Sequence, residues 1–242
     1  MTFLVFPLHD PDGWRKQQVK EQIPVLNQLF DGIITHVSSA TDRELIEYLS
    51  DNCTDCHIDD QCKNLIDKIG KKRSELLKYA LEQNAYEVMY CDGDRILHWC
   101  ENNPKELRNC MDSLYVSDFT IFGRTNRAWL SHPDTQHKTE SIINDLFNAK
   151  TGLNYDLLAA ARGMSHKAAR MIVNGSKDDT FGVDVSWPMM ILESDLSISY
   201  VRVDGLSFET NETNQNIDEW IHRFKIVVTE LDSMRKNDDD SD

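Results

Sequence analysis

Two aspartates separated by one glycine, Asp92-Gly93-Asp94, follow the apolar run Tyr86-Glu87-Val88-Met89-Tyr90-Cys91. Paired carboxylates at the end of a buried strand suit a hard divalent cation such as Mg2+ or Mn2+. Such ions take oxygen ligands and keep positions open for phosphate oxygens. The competing reading is a solvated turn, a common use of Asp-Gly. Upstream, Gly70-Lys71-Lys72-Arg73 opens a helical segment that leads into the same strand. Free N–H groups, the helix dipole and basic side chains at such a start favour a diphosphate. The plainer alternative is a basic, solvated helix face.

Further along, Phe122 to Pro133 carries Arg124, Arg127, Trp129 and His132 after a strand-like run. Arginine grips phosphate or carboxylate as a fork, and tryptophan offers a flat apolar face to a sugar ring. A surface loop with Trp129 in the core is the alternative. His98 and Trp99 fall on a helical segment with Leu97 and read as packing. Cys53, Cys56, His57 and Cys62 are too crowded for an ordinary four-ligand zinc site, and free thiols are the default. Haem attachment through Cys-x-x-Cys-His needs an exported chain, which nothing here indicates.

The elements that must position these groups alternate. Phe3–Leu8, Gly32–Val37 and Ala85–Cys91 read as strands. Helices are expected over 14–30, with Pro24 as a kink or break, from Thr41 to Leu49, and over 65–83. Thr41 and Glu44 have the spacing of a capping box. Residues 51–62 read as a polar loop. This β-α-β-α-β series implies a mostly parallel sheet with helices on both faces, and ligands bind at the carboxyl ends of such strands. The clusters at 9–13, 38–42 and 92–95 all lie there. In the second half, helices are expected over 104–114, 135–149, 153–173 and 217–235, and strands over 118–124, 182–187 and 198–203. The expected organisation is one three-layer α/β/α domain over 1–236 with an acidic tail at 237–242.

The 242 residues carry 26 basic against 41 acidic side chains, a net charge of −15. That balance argues against a nucleic acid polymer as partner. No apolar run is long enough for a membrane span, and the start does not resemble a signal peptide. The expected address is cytoplasmic.

The basic helix before an Asp-x-Asp strand resembles the nucleotide-sugar-dependent glycosyltransferases of the glycosyltransferase-A fold. Gly70, Arg73 and the Leu77/Ala80 face match the helix, and Asp92 and Asp94 match the acidic pair. The resemblance implies a nucleotide diphosphate sugar donor, a Mn2+ or Mg2+ cofactor, and halves at 1–100 for the donor and 101–236 for the acceptor. It implies that Pro7 to Asp10, with His9, receive the base. Ser38 to Asp42, with Ser39, would close over base and ribose. Asp92 becomes a ribose or water-bridged ligand, Asp94 the direct metal ligand, and Lys72 and Arg73 the diphosphate partners. Arg162, within Asp156–Ser165, falls on the acceptor side, with Arg124, Arg127 and Trp129 suiting an anionic acceptor. Gly182–Pro188 resembles the stretch carrying the acid near the reacting sugar. Asp184 is therefore the candidate general base of an inverting transferase, or the sugar-orienting carboxylate of a retaining one. Glu209 and His222 are weak options for a third metal ligand. A homodimer through the second half is expected. A sugar-phosphate nucleotidyltransferase is disfavoured because the first loop lacks a Gly-rich run, and an inert binding module on the same fold is the reading from another class.

Overall fold

The computed structural model describes residues 1–59, 68–208 and 216–239, with side chains to 235. Cys62, Glu209, the expected helix start near residue 65 and the end of the acidic tail lie outside the described residues.

Seven strands form one sheet in the order β3-β2-β1-β4-β6-β5-β7. They are β1 (Thr2–Leu8), β2 (Gly32–Ser38), β3 (Asp55–Asp59), β4 (Glu87–Cys91), β5 (Phe119–Arg124), β6 (Ala161–Ser165) and β7 (Ile198–Val203). All neighbours pair in parallel except β6, which runs antiparallel to both β4 and β5. Side chains alternate across a strand. Leu4 and Phe6 accordingly enter one core with Ile33, Trp99 and Phe122, whereas Phe3 and Val5 enter the other with Leu76, Phe119 and Trp187.

Among the described residues ten helices cover the sheet: α1 (Lys16–Leu26), α2 (Arg43–Asn52), α3 (Ile69–Glu82), α4 (Gly93–Asn102), α5 (Pro104–Cys110), α6 (Asn126–Leu130), α7 (Asp134–Thr151), α8 (His166–Gly175), α9 (Val183–Leu192) and α10 (Ile217–Asp239). Pro24 does not end α1. A proline cannot bond to the carbonyl four residues back, and here the Tyr48 hydroxyl donates to that carbonyl, Lys20 O, at 3.3 Å. Asp42, not Thr41, caps α2 by accepting from the Leu45 N–H at 3.2 Å. Thr41 instead accepts from the Asp10 N–H at 3.2 Å and fastens the first two loops together.

Three segments differ from the pattern-based expectation. The polar Cys-bearing loop contains an edge strand, β3, paired with β2. The alanine-rich stretch within 153–173 does not form one helix: Ala160 turns with φ 52°, and Ala161–Ser165 inserts as β6. Residues 182–187 begin helix α9 rather than a strand, because a segment buried all round shows neither period. Among the described residues the cysteines at 53, 56, 91, 100 and 110 are free thiols, and no helix is long and apolar enough to cross a membrane.

Candidate active site

The carboxyl ends of β1, β2, β4 and β5 open on one edge of the sheet. Two cavities lie there and share Asp92, Asp94 and Phe181. The first, about 310 Å³, is bordered by Pro7, His9, Arg15, His36, Ser38 and Lys72. The second, about 230 Å³, lies toward α7, α9 and α10 and is bordered by Arg73, Arg95, Arg124, Glu140, Asp184, Arg223 and Glu230 among others.

In the first cavity, Ser38 and His9 are joined through Oγ and Nδ1 at 2.6 Å. Ser39 is exposed and Ser38 takes its expected place. Asp10 is buried and accepts from the Trp14 and Arg15 N–H groups at 3.1 and 2.8 Å, so it shapes the loop rather than facing the cavity. Lys72 meets Asp59 at 2.6 Å. Burial, followed by the Lys72 charge, lowers the His36 imidazole to about 4, which keeps it neutral at physiological pH.

Two N–H groups at the start of α3 are engaged within the chain rather than offered to a diphosphate. The Gly70 N–H donates to Asp179 O at 2.9 Å, and Lys71 N–H to the same oxygen at 3.4 Å. The glycine is needed here because a Cβ would stand 2.4 Å from Thr180 O. Arg73 likewise departs from its expected role. It is 1% exposed, donates from Nη1 to Asp184 Oδ2 at 2.8 Å, and from Nη2 to both Asp92 oxygens at 3.1 Å. It therefore holds two acids in place at the border of the second cavity. The Tyr90 hydroxyl also donates to Asp92 Oδ1.

The acidic pair is electrostatically split. Burial raises the Asp92 carboxyl despite Arg73. Burial opposes ionisation of Asp94 too, but Arg95 and Arg15 outweigh it and hold that carboxyl below its usual value. The Asp94 side chain is 40% exposed and that of Asp92 28%, so both reach into the shared mouth.

The second-half candidates separate. Arg124 reaches the central cavity but is clamped by Asp156 and Glu140. Trp129 lies on an outer groove with Tyr155 and Tyr200, stacked with His137 and covered by the Arg124 guanidinium. Arg127 points outward to Asp204 at 3.1 Å and borders neither cavity. Arg162, expected on the acceptor side, is 2% exposed and donates to Ala161 O at 2.8 Å, to Leu157 O, and to Asp184 O at 3.5 Å. Pro188 deprives that last carbonyl of its helical donor, and the guanidinium supplies one. His98 and Trp99 are buried packing residues, as expected.

The pattern reading missed His36, Phe181, Arg95, Glu140, Arg223 and Glu230. Glu140 and Glu230 had a signal: each occupies a buried register of an amphipathic helix, Glu230 between Val227 and Met234. An acid at an apolar-face position is costly unless it has a use.

Strand order, layers and site edge together define an α/β fold of the glycosyltransferase-A class. The solved structures similar to it include glucosyl-3-phosphoglycerate synthase from Mycobacterium tuberculosis, at TM-score 0.63 and 14% identity over 96% of this chain and 80% of that one. A complex of that synthase with Mn2+, UDP-glucose and phosphoglyceric acid matches at TM-score 0.63 and 12% identity, over 96% of this chain and 79% of that one. Mannosyl-3-phosphoglycerate synthase from Rubrobacter xylanophilus matches at 0.62 and 11%, over 98% and 73%. No family model and no curated protein matches the sequence.

Proposed function

We propose that residues 1–236 form a metal-dependent glycosyltransferase that moves a sugar from a nucleotide diphosphate donor to an anionic, hydroxyl-bearing acceptor in the cytoplasm. The observation that carries this reading is the meeting of two cavities at Asp92 and Asp94. One cavity combines apolar walls (Pro7, Leu8, Ile69, Phe181) with His9, Ser38 and the cations Arg15 and Lys72, which suits a base and its phosphates, and the other holds the carboxylates and guanidiniums suited to the reacting groups. The solved neighbours with Mn2+ and UDP-glucose support it.

The donor set fits a hard divalent ion in that two carboxylates reach one shared mouth. His222 borders the central cavity, but no group of three metal-binding side chains forms among the described residues. An ion with two protein ligands keeps positions for diphosphate oxygens, as Mg2+ and Mn2+ commonly do. Asp94 would be its direct ligand, with Asp92 beside it. Bound there, the ion would neutralise charge on the departing nucleoside diphosphate.

The chain's own groups do the rest. Pro7, His9 and Ser38 receive the base and ribose, and Lys72 draws the diphosphate toward the pair. Arg73 fixes Asp92 and Asp184 in one frame. Both Asp184 oxygens already face guanidiniums, Arg73 at 2.8 Å and Arg162 at 3.7 Å, which favours orienting the transferred sugar over accepting a proton. Arg95 and Arg223 are the cavity cations placed to meet an anionic acceptor. Two copies would pair through Ile217, Ile221, Phe224 and Val228, an exposed stripe of α10 with alternating four- and three-residue spacing. Light scattering of the wild type and of Phe224→Glu tests that pairing.

The central test is thermal stabilisation by UDP and GDP with and without Mn2+, followed by release of nucleoside diphosphate from UDP- and GDP-hexoses. A metal-dependent shift and steady release are expected. No shift with either nucleotide overturns the reading.

A further inference from the structure

The central cavity contains a buried acid for which the transfer reading has no role. Glu230 lies on the inward face of α10, is 2% exposed and borders that cavity. Its Oε2 is closed to solvent and has no hydrogen-bond partner among the described residues. The charged groups around it come from every packed element: Asp184 of α9 and Glu140 of α7 oppose its ionisation, while Arg73 of α3 and Arg223 of α10 favour it. Burial is the largest influence, and the balance lifts the carboxyl well above its usual range, toward the protonated form. A protonated carboxyl offers one O–H donor and a carbonyl acceptor. A buried polar atom left without a partner is costly, and such atoms are rare in native proteins.

We propose that Glu230 is a substrate-recognition residue that hydrogen-bonds a hydroxyl of the transferred sugar held in the central cavity. The proposal rests on the reading of that cavity as the transfer chamber. A hydroxyl both donates and accepts, so it can pair with the carboxyl in either role; a phosphate or carboxylate can only accept. Arg223 stands seven residues earlier on the same helix, about 10 Å away along its axis. α10 therefore presents a charged end and an uncharged end to the ligand. The anionic group belongs near Arg223, and the hydroxyl-bearing part near Glu230.

The experiment compares wild type, Glu230→Gln, Glu230→Leu and Glu230→Asp. Each is tested for stabilisation by UDP with Mn2+ and for nucleoside diphosphate release from UDP- and GDP-hexoses across pH 6–9. Gln also donates and accepts, so it should stay within about threefold of wild-type kcat/KM. Leu cannot pair and Asp falls short, so each should lose about tenfold or more. The UDP–Mn2+ shift should be unchanged in all four, because Glu230 does not border the donor cavity. The upward shift predicts that wild-type turnover falls as pH rises through the Glu230 ionisation, and Glu230→Gln should lack that fall. Turnover by Glu230→Leu equal to wild type overturns the proposal, as does a Gln variant as damaged as the Leu one. If the Leu variant does not fold, equal rates for Gln and Asp overturn it. A nucleotide shift absent from the wild type overturns the transferase reading itself, whereas a shift present with unaltered Leu turnover removes only the role of Glu230.

Discussion

Replacing Arg124 with methionine tests the electrostatic frame beneath the central cavity. The Arg124 side chain is 1% exposed and donates from Nε and Nη2 to the two Asp156 oxygens, both at 2.7 Å. Nη2 also meets Glu140, and the two acid side chains are only 10% and 8% exposed. Methionine keeps much of the volume but leaves two buried acids without their cation. Breaking a buried pair on one side costs about 3–5 kcal/mol. For a chain of this size each kcal/mol moves Tm by about 2–4 °C, so the expected fall is about 6–20 °C. The loss must depend on pH. Burial raises the Asp156 carboxyl, but Arg124 outweighs it and holds the group below its usual value. The stability it contributes is therefore present above the unfolded pKa and lost as pH falls through the folded one. Without Arg124 both acids shift upward, so the deficit is largest near pH 8 and narrows toward pH 5 as they protonate. Urea unfolding at both pH values measures it. Adding Glu140→Gln should restore part of the loss. A pH-independent deficit below about 1 kcal/mol, or a double variant no more stable than Arg124→Met, would refute this account.

Asp94→Asn should keep the fold but abolish the Mn2+-dependent part of UDP stabilisation, read by thermal shift with and without EDTA. Gly70→Ala should lower stability by about 1–3 kcal/mol, since the new methyl meets Thr180 O and the Val183 side chain, neither easily moved; chemical denaturation checks it. Burial, then Asp118, raises the Glu87 carboxyl from 4.5 to about 7. An acid raised on folding costs stability above that value and nothing below 4.5, so Glu87→Gln should gain about 1–2 kcal/mol at pH 8, after allowing for solvent screening, and nothing near pH 4.5.

The first half was legible because its strands are apolar on both faces and its helices carry clear stripes, so period and length gave both type and order. Asp92 and Asp94 were legible for the same reason: a strand end fixes where they point. Arg73 was found but its partners were not, because Asp184 is 111 residues away in the chain and no local pattern records such a contact. The stretch from 156 to 165 misled because alanine favours helix by propensity, whereas the vacancy between β4 and β5 makes Ala161–Ser165 extended. α9 misled for the opposite reason, since a helix buried all round has no polar face to show its period. Ser38 is the last residue of β2 and buried, whereas Ser39 already lies in the exposed turn, and a strand boundary is not fixed to one residue by pattern alone.

The reversal of β6 accounts for the position of Asp184. Because β6 runs against β4, it begins at the edge where β4 ends, and the Asp92 N–H donates to Ala160 O at 3.1 Å. The chain therefore enters the site between the acidic pair and Arg124, then departs to the far edge of the sheet. It must return to place α9, and α9 starts beside α3, with the preceding loop bonded to Gly70. Arg162, the second residue of β6, reaches under that returning helix to the carbonyl that Pro188 leaves open. The segment that leads into this antiparallel strand, Leu158 to Ala160, thus supplies a wall of the cavity, and the strand itself a support for Asp184. Arg162→Met should therefore disturb Asp184 without touching the donor cavity. Sugar transfer should fall while UDP–Mn2+ stabilisation is retained, and equal losses in both would show that the two halves do not separate at Arg162.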